Sequence, residues 1–162
     1  MTEQLSPLAL QALAVVEESG AIINANHAHP HTIRHKGRID LVTETDIAVE
    51  AFLKERLASL APQAGFLAEE SAEDLSLPDT CWIIDPVDGT TNFAHGLPLT
   101  VTSVAYRLNG EIVLGIVNAP LLHECFIAEK GKGAWRNGES ISVSSVTACE
   151  NALVATGFPY EI

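Results

Sequence analysis

Basic residues are scarce in this chain: nine Lys and Arg stand against 21 Asp and Glu, a formal net charge of −12. That shortage argues against nonspecific nucleic-acid or anionic-membrane binding, because both need a positive surface. Cysteine is equally sparse. Cys81, Cys125 and Cys149 are odd in number and have no C-x-x-C spacing, which leaves neither a disulfide framework nor a zinc site. Reduced thiols in a cytoplasm are the expectation. The N-terminal Met1-Thr2-Glu3-Gln4-Leu5 has no basic region ahead of an apolar one, and no apolar run approaches membrane-spanning length. The chain is therefore expected to be cytosolic. Internal repeats, low-complexity tracts and linkers long enough to isolate a domain are also missing.

What is present is enough apolar residue, 47% of 162, to bury one sizeable core. The most informative stretch is Trp82-Ile83-Ile84-Asp85-Pro86-Val87-Asp88-Gly89-Thr90-Thr91-Asn92-Phe93, an apolar strand that runs directly into two aspartates and a small-residue turn. An aspartate at the exit of a buried strand is costly unless a cation meets it. Pro86 should block further ladder pairing and Gly89 should permit a sharp bend, so that Asp85 and Asp88 both project near the strand's carboxyl end. Carboxylates so placed suit a hard divalent ion such as Mg²⁺, which takes oxygen ligands and keeps several waters. Glu69 and Glu70, after the apolar Phe66-Leu67-Ala68, are the obvious further donors. Gly89-Thr90-Thr91-Asn92 offers N–H groups and hydroxyls at an expected helix start, where anions bind. A metal site beside a phosphate cradle points to metal-assisted phosphoester hydrolysis. Each piece taken singly also has a plain structural meaning: Asp-Pro-x-Asp-Gly as a turn, adjacent glutamates as solvated loop charges.

Three segments in this order and spacing carry a resemblance: Asp40-Leu41-Val42-Thr43-Glu44-Thr45-Asp46, Glu69-Glu70-Ser71, and residues 85–93. Together they resemble the inositol monophosphatase family of Mg²⁺-dependent, lithium-sensitive sugar phosphatases. The resemblance implies that Glu69, Asp85 and the Val87 carbonyl hold one Mg²⁺ and that Asp85 and Asp88 share a second. It implies that Gly89, Thr90 and Thr91 bind the substrate phosphate. It further implies that Asp46 pairs with Thr90 to orient or deprotonate the attacking water, which Glu69 also reaches. Thr43-Glu44-Thr45-Asp46 independently fits a helix capping box, and both roles fit at a helix start. Lys36 is the candidate for a lysine brought near the site by the loop before Asp40, although His35 occupies the strict register. The implied substrate is a small phosphorylated polyol or sugar, inositol monophosphate first. Fructose 1,6-bisphosphate, histidinol phosphate and adenosine bisphosphate stay open, as does a non-catalytic binding module. Family members are commonly homodimers, so a homodimer is implied as well. They also continue past the position of Ile162 with a further metal-binding aspartate in a Trp-Asp-x-Ala-Ala-Gly-like motif that this sequence does not contain. The isolated chain is accordingly expected to bind metal weakly and turn over poorly.

Along the chain, Ser6-Pro7 starts a first helix whose apolar face runs through Ala9, Ala12, Leu13, Val16 and Ile23, ending before His27. Residues 26–37 hold four of the six histidines and are expected to form a solvated, flexible loop, with a transition-metal site as the alternative. Val49, Phe52, Leu53, Leu57 and Leu60 make a second amphipathic helix ending near Pro62, with Glu50 a solvated or supporting charge. Glu73 and Asp74 read as an exposed loop. From residue 99 the pattern becomes strands: 99–108 and 111–117 around Asn109-Gly110, then 125–128, 133–136 and 141–143. The basic Lys130-Gly131-Lys132 reads as a hairpin tip. Residues 147–151 are expected to open another helix and 153–157 another strand. The expected fold is α+β, two helices packed on an antiparallel sheet over residues 1–146, with residues 147–162 starting a second α/β domain.

Overall fold

A computed structural model describes residues 4–27, 33–35, 41–71 and 77–156 of the 162. Helix α1 (Pro7–His27) begins where Ser6 Oγ accepts from the Ala9 N–H at 3.2 Å. The Ser6 N–H in turn donates to Glu129 Oε2 at 2.7 Å, which ties the helix start to a distant strand. Strands β1 (Ile33–His35) and β2 (Leu41–Thr43) pair antiparallel. Part of the histidine-rich segment expected to be a loop is therefore a strand. Helix α2 (Glu44–Leu60) follows through the full capping box at Thr43 and Asp46.

The remaining strands form one seven-stranded sheet in sequence order: β3 (Gly65–Ala68), β4 (Cys81–Asp88), β5 (Val101–Leu108), β6 (Glu111–Ala119), β7 (Glu124–Glu129), β8 (Gly133–Arg136) and β9 (Glu139–Ile141). The short helix α3 (Thr90–Ala94) sits between β4 and β5. The expected wholly antiparallel sheet needs one correction, because β3 and β4 run parallel. A parallel pair requires a crossover of about a dozen residues, and residues 69–80 supply it. Asn109 and Gly110, and again Asn137 and Gly138, take positive φ of 51° and 84°, then 49° and 84°. Those are the two-residue turns whose twist matches the flanking strands.

The core lies between the sheet and the two helices. One cross-strand row, Ala68, Ile84, Val104, Ile116, Ile127 and Trp135, is in register from β3 to β8 and buried at every position. Alternation on β5 and β6 places this face inward. Val16 and Ile23 of α1 and Val49, Leu53 and Leu57 of α2 close over it. Each such side chain contributes roughly 1.5–3 kcal/mol by leaving water.

Helix α1 holds no unbroken apolar run, being interrupted by Gln11, Glu17, Glu18 and Ser19, yet it is long and apolar on average. An 18-residue window within its 21 residues has a mean hydropathy of 1.3, enough by length and composition alone to cross a membrane. Its apolarity is spent on the core, since Ala12, Val16 and Ile23 are fully buried. The helix expected over 147–151 is a single 3₁₀ turn (Cys149–Asn151), and residues 152–156 form no strand. Leu153 and Val154 are exposed there, with no strand beside them among the described residues. Glu73, Asp74 and Gly157 lie outside the described residues.

Candidate active site

The site forms where the parallel pair ends. Ala68 stands beside Ile84 in the β3/β4 register, and the Glu69 N–H donates to the Ile84 carbonyl at 3.1 Å. The next pair along is therefore Glu69 and Asp85, whose carboxyls are in hydrogen-bonding contact. Two acids this close cannot both ionise cheaply. Burial first, then the charge and hydrogen bond of Glu69, then Asp88 and Asp46, push Asp85 up from 3.8 to about 8. The other Asp85 oxygen, Oδ1, is buried without a hydrogen-bond partner.

Pro86 does not end the strand as expected. It sits in a bulge: the β4/β5 register shifts between Asp85 and Asp88, and pairing resumes at Asp88 opposite Val101. Two buried threonines of the β5 side hold that bulge, Thr102 Oγ1 donating to the Pro86 carbonyl at 2.9 Å and Thr100 Oγ1 to the Asp88 carbonyl at 3.0 Å. The sequence reading passed over both. Their signal was threonine at positions in phase with buried Val104 and Tyr106. The shift leaves Asp88 exposed.

Gly89 then turns the chain at φ 94°, and an added Cβ would lie 2.8 Å from the Leu99 carbonyl oxygen. Only glycine fits both restrictions. Thr90 opens α3, which is anchored by fully buried Phe93, while Thr91 faces solvent. Thr90 Oγ1 lies 2.9 Å from Asp46 Oδ1 and 2.9 Å from the Val87 carbonyl, so its one proton serves two acceptors in turn. Asp46 is buried and accepts with Oδ2 from the Thr43 N–H at 2.9 Å and from the Thr43 hydroxyl. One carboxylate therefore caps α2 with one oxygen and grips Thr90 with the other. Lys36 lies outside the described residues.

Glu50 corrects the sequence reading in part. It is buried, not solvated, and it accepts from the Glu70 N–H at 2.8 Å. The signal was its place one turn beyond Asp46 on the same helix edge.

The donor set suits a hard divalent cation. Glu69, Asp85, Asp88 and the Val87 carbonyl offer oxygen only, and the buried Asp85 Oδ1 is an acceptor with no hydrogen-bond partner among the described residues. Among the described residues, no three His, Cys, Asp or Glu side chains close into a ready-made cage. A cleft of about 300 Å³ opens next to Asp88 and Gly89, lined also by Asn92, Leu99 and Thr100. A larger cavity of about 370 Å³ lies elsewhere, against Gly20, Asn24 and Asn118, and contains none of these carboxylates. The ionisable chemistry, not cavity size, marks the site.

The chain matches the model of the inositol monophosphatase family over residues 4–161. It is 44% identical over 154 residues to an inositol monophosphatase of Dictyostelium discoideum, covering 93% of this chain and 57% of that protein. It is 43% identical over 118 residues to a fructose-1,6-bisphosphatase/inositol-1-monophosphatase of Thermotoga maritima, covering 73% of this chain and 45% of that one. Among solved structures, an IMPase/NADP phosphatase complexed with Mg²⁺ and phosphate superimposes with a TM-score of 0.70 at 26% identity, over 78% of this chain and 49% of that one. The chain thus spans about half the length of the relatives it matches.

Proposed function

Because the chain belongs to the inositol monophosphatase family, we infer that it carries the metal- and phosphate-handling part of a Mg²⁺-dependent phosphomonoesterase. The substrate is a small phosphorylated polyol or sugar, with inositol monophosphate the first choice. One observation carries the reading: Asp85 is a half-buried carboxyl pressed against Glu69, with its Oδ1 buried and without a hydrogen-bond partner among the described residues. Such a group is stable at neutral pH only protonated or facing a cation.

In this reading Glu69, Asp85 and the Val87 carbonyl hold one Mg²⁺, and Asp85 with Asp88 holds another. Bound Mg²⁺ offsets the carboxylate charge and polarises a phosphoryl oxygen. The chain's own residues do the rest. Thr90 Oγ1, drawn toward Asp46 Oδ1, orients the attacking water and passes proton density to the aspartate. Glu69 borders the same water. Gly89, Thr90 and Thr91 hold the phosphate, with Lys36 the candidate for a lysine that joins them. Residues 1–146 form the metal-binding domain and 147–162 begin a second one. A homodimer in a reducing cytoplasm completes the reading, the latter supported by three free cysteines.

Titration calorimetry of Mg²⁺ into wild type and Asp85→Asn tests the metal site. Binding by wild type and at least tenfold weaker binding by the variant are expected; identical curves overturn the site. A phosphate-release panel with inositol 1-phosphate, fructose 1,6-bisphosphate, histidinol phosphate and adenosine 3′,5′-bisphosphate then sorts the substrate. Binding of Mg²⁺ without release from any of them would favour the non-catalytic module.

A further inference from the structure

Asp46, Glu50 and Lys54 follow one another at four-residue steps along one edge of α2; Asp46 reaches the turn after β4, and Glu50 and Lys54 both reach the segment that leaves β3. Asp46 Oδ1 takes the Thr90 hydroxyl at 2.9 Å. Glu50 Oε2 takes the Glu70 N–H at 2.8 Å. Lys54 Nζ donates to Ser71 Oγ at 2.8 Å and lies 5.9 Å from the centre of the Phe66 ring on β3. Glu50 Oε1 and Lys54 Nζ are themselves 3.9 Å apart.

The identity of Glu50 needs a reason. Its residue is only 4% exposed, and a buried carboxylate costs several kcal/mol unless it is well matched. Packing alone would favour an apolar residue. What the carboxylate supplies is a strong acceptor at the first peptide after Glu69, where the chain leaves β3 and the β3/β4 register ends. With Glu69 N–H held by the Ile84 carbonyl and Glu70 N–H held by Glu50, both peptides flanking the Glu69 side chain are fixed. Lys54 secures the next residue and partly balances Glu50.

We propose that Glu50, backed by Lys54, is a positioning residue that fixes the Glu69–Ser71 segment so that the Glu69 carboxylate faces Asp85. It touches neither cation nor substrate in this assignment. The inference rests on the metal-site reading above, since only that reading gives the orientation of Glu69 a use. Groups that orient a metal ligand typically govern 10–100-fold in metal affinity, and Glu50 would act through the peptide next to Glu69.

The test compares Glu50→Ala, Glu50→Gln and Lys54→Met with Asp85→Asn as control, by Mg²⁺ calorimetry and by amide hydrogen exchange of the metal-free protein. Glu50→Ala should bind Mg²⁺ at least tenfold more weakly and lose protection at the Glu70 amide. Glu50→Gln, which keeps an acceptor oxygen, should recover to within about threefold of wild type in affinity and keep that protection. Lys54→Met should fall between them, and it decides the question should Glu50→Ala fail to fold. Wild-type affinity in both Glu50→Ala and Lys54→Met, or failure of Glu50→Gln to rescue, overturns the inference. If Asp85→Asn binds as wild type does, the metal-site reading itself fails. Glu70 protection that does not depend on residue 50 would count against the positioning role in that case too.

Discussion

Replacing Asp85 by Asn should make the metal-free protein more stable at pH 8 and leave it unchanged near pH 4. Folding lifts the Asp85 pKa from 3.8 to about 8, chiefly through burial and the neighbouring Glu69. Below about pH 4 the carboxyl is protonated in both states and contributes nothing to the difference between variants. As pH rises from there, the unfolded chain releases the proton and the folded one keeps it, so stability falls until the folded group also ionises near pH 8. At about 1.4 kcal/mol per unit the full shift sets a ceiling of roughly 6 kcal/mol. The carboxyl is only partly enclosed, and water screens the repulsion among Asp85, Glu69 and Asp88. About 2–3 kcal/mol is therefore the expected loss.

Urea unfolding at pH 4.5, 6 and 8, with EDTA present, measures that loss directly through the shift in midpoint at constant slope. Wild type should lose stability across the series, while Asp85→Asn, which has no proton to give up at this position, should lose about 2–3 kcal/mol less. Excess Mg²⁺ should narrow the gap at pH 8, because a cation bound only by the folded state adds about 2.7 kcal/mol at a hundredfold excess over its Kd and less to a variant that binds it more weakly. A wild-type-minus-variant difference that stays flat from pH 4.5 to 8 would refute the argument, for it would mean that Asp85 ionises as freely in the fold as outside it.

Asp46→Ala should cost about 1–2 kcal/mol in urea unfolding, because the cap on α2 goes with the carboxylate. Thr90→Val leaves the cap intact and should cost less than about 1 kcal/mol in urea unfolding, while lowering any phosphate release that wild type shows by at least tenfold. Gly20→Ala should lower stability by about 1–3 kcal/mol in thermal unfolding, since the new methyl would stand 2.9 Å from both Asn118 Nδ2 and Pro120 Cβ. Iodoacetamide at pH 8, followed by peptide mass mapping, should modify exposed Cys149 first. Buried Cys125, its thiol pushed up to about 12 by burial and by Glu17, should react only after unfolding.

Much of the architecture could be read from local chemistry. Ser6-Pro7 and the Thr43/Asp46 box start their helices, and Asn109-Gly110 and Asn137-Gly138 turn their hairpins, because each signal acts within a few residues. The acidic cluster was visible for the same reason: carboxylates at the ends of apolar strands stand out in any sequence. Tertiary structure alone decided how those parts meet. The parallel β3/β4 register brings Glu69 against Asp85, the Pro86 bulge moves Asp88 outward, and the edge of α2 joins Asp46 to Thr90 and Glu50 to Glu70. These depend on contacts between residues far apart in the chain, which local propensity does not encode. The shifted ionisation of Asp85 is likewise a property of the assembled fold, because desolvation and like-charge repulsion exist only once the chain has brought the acids together.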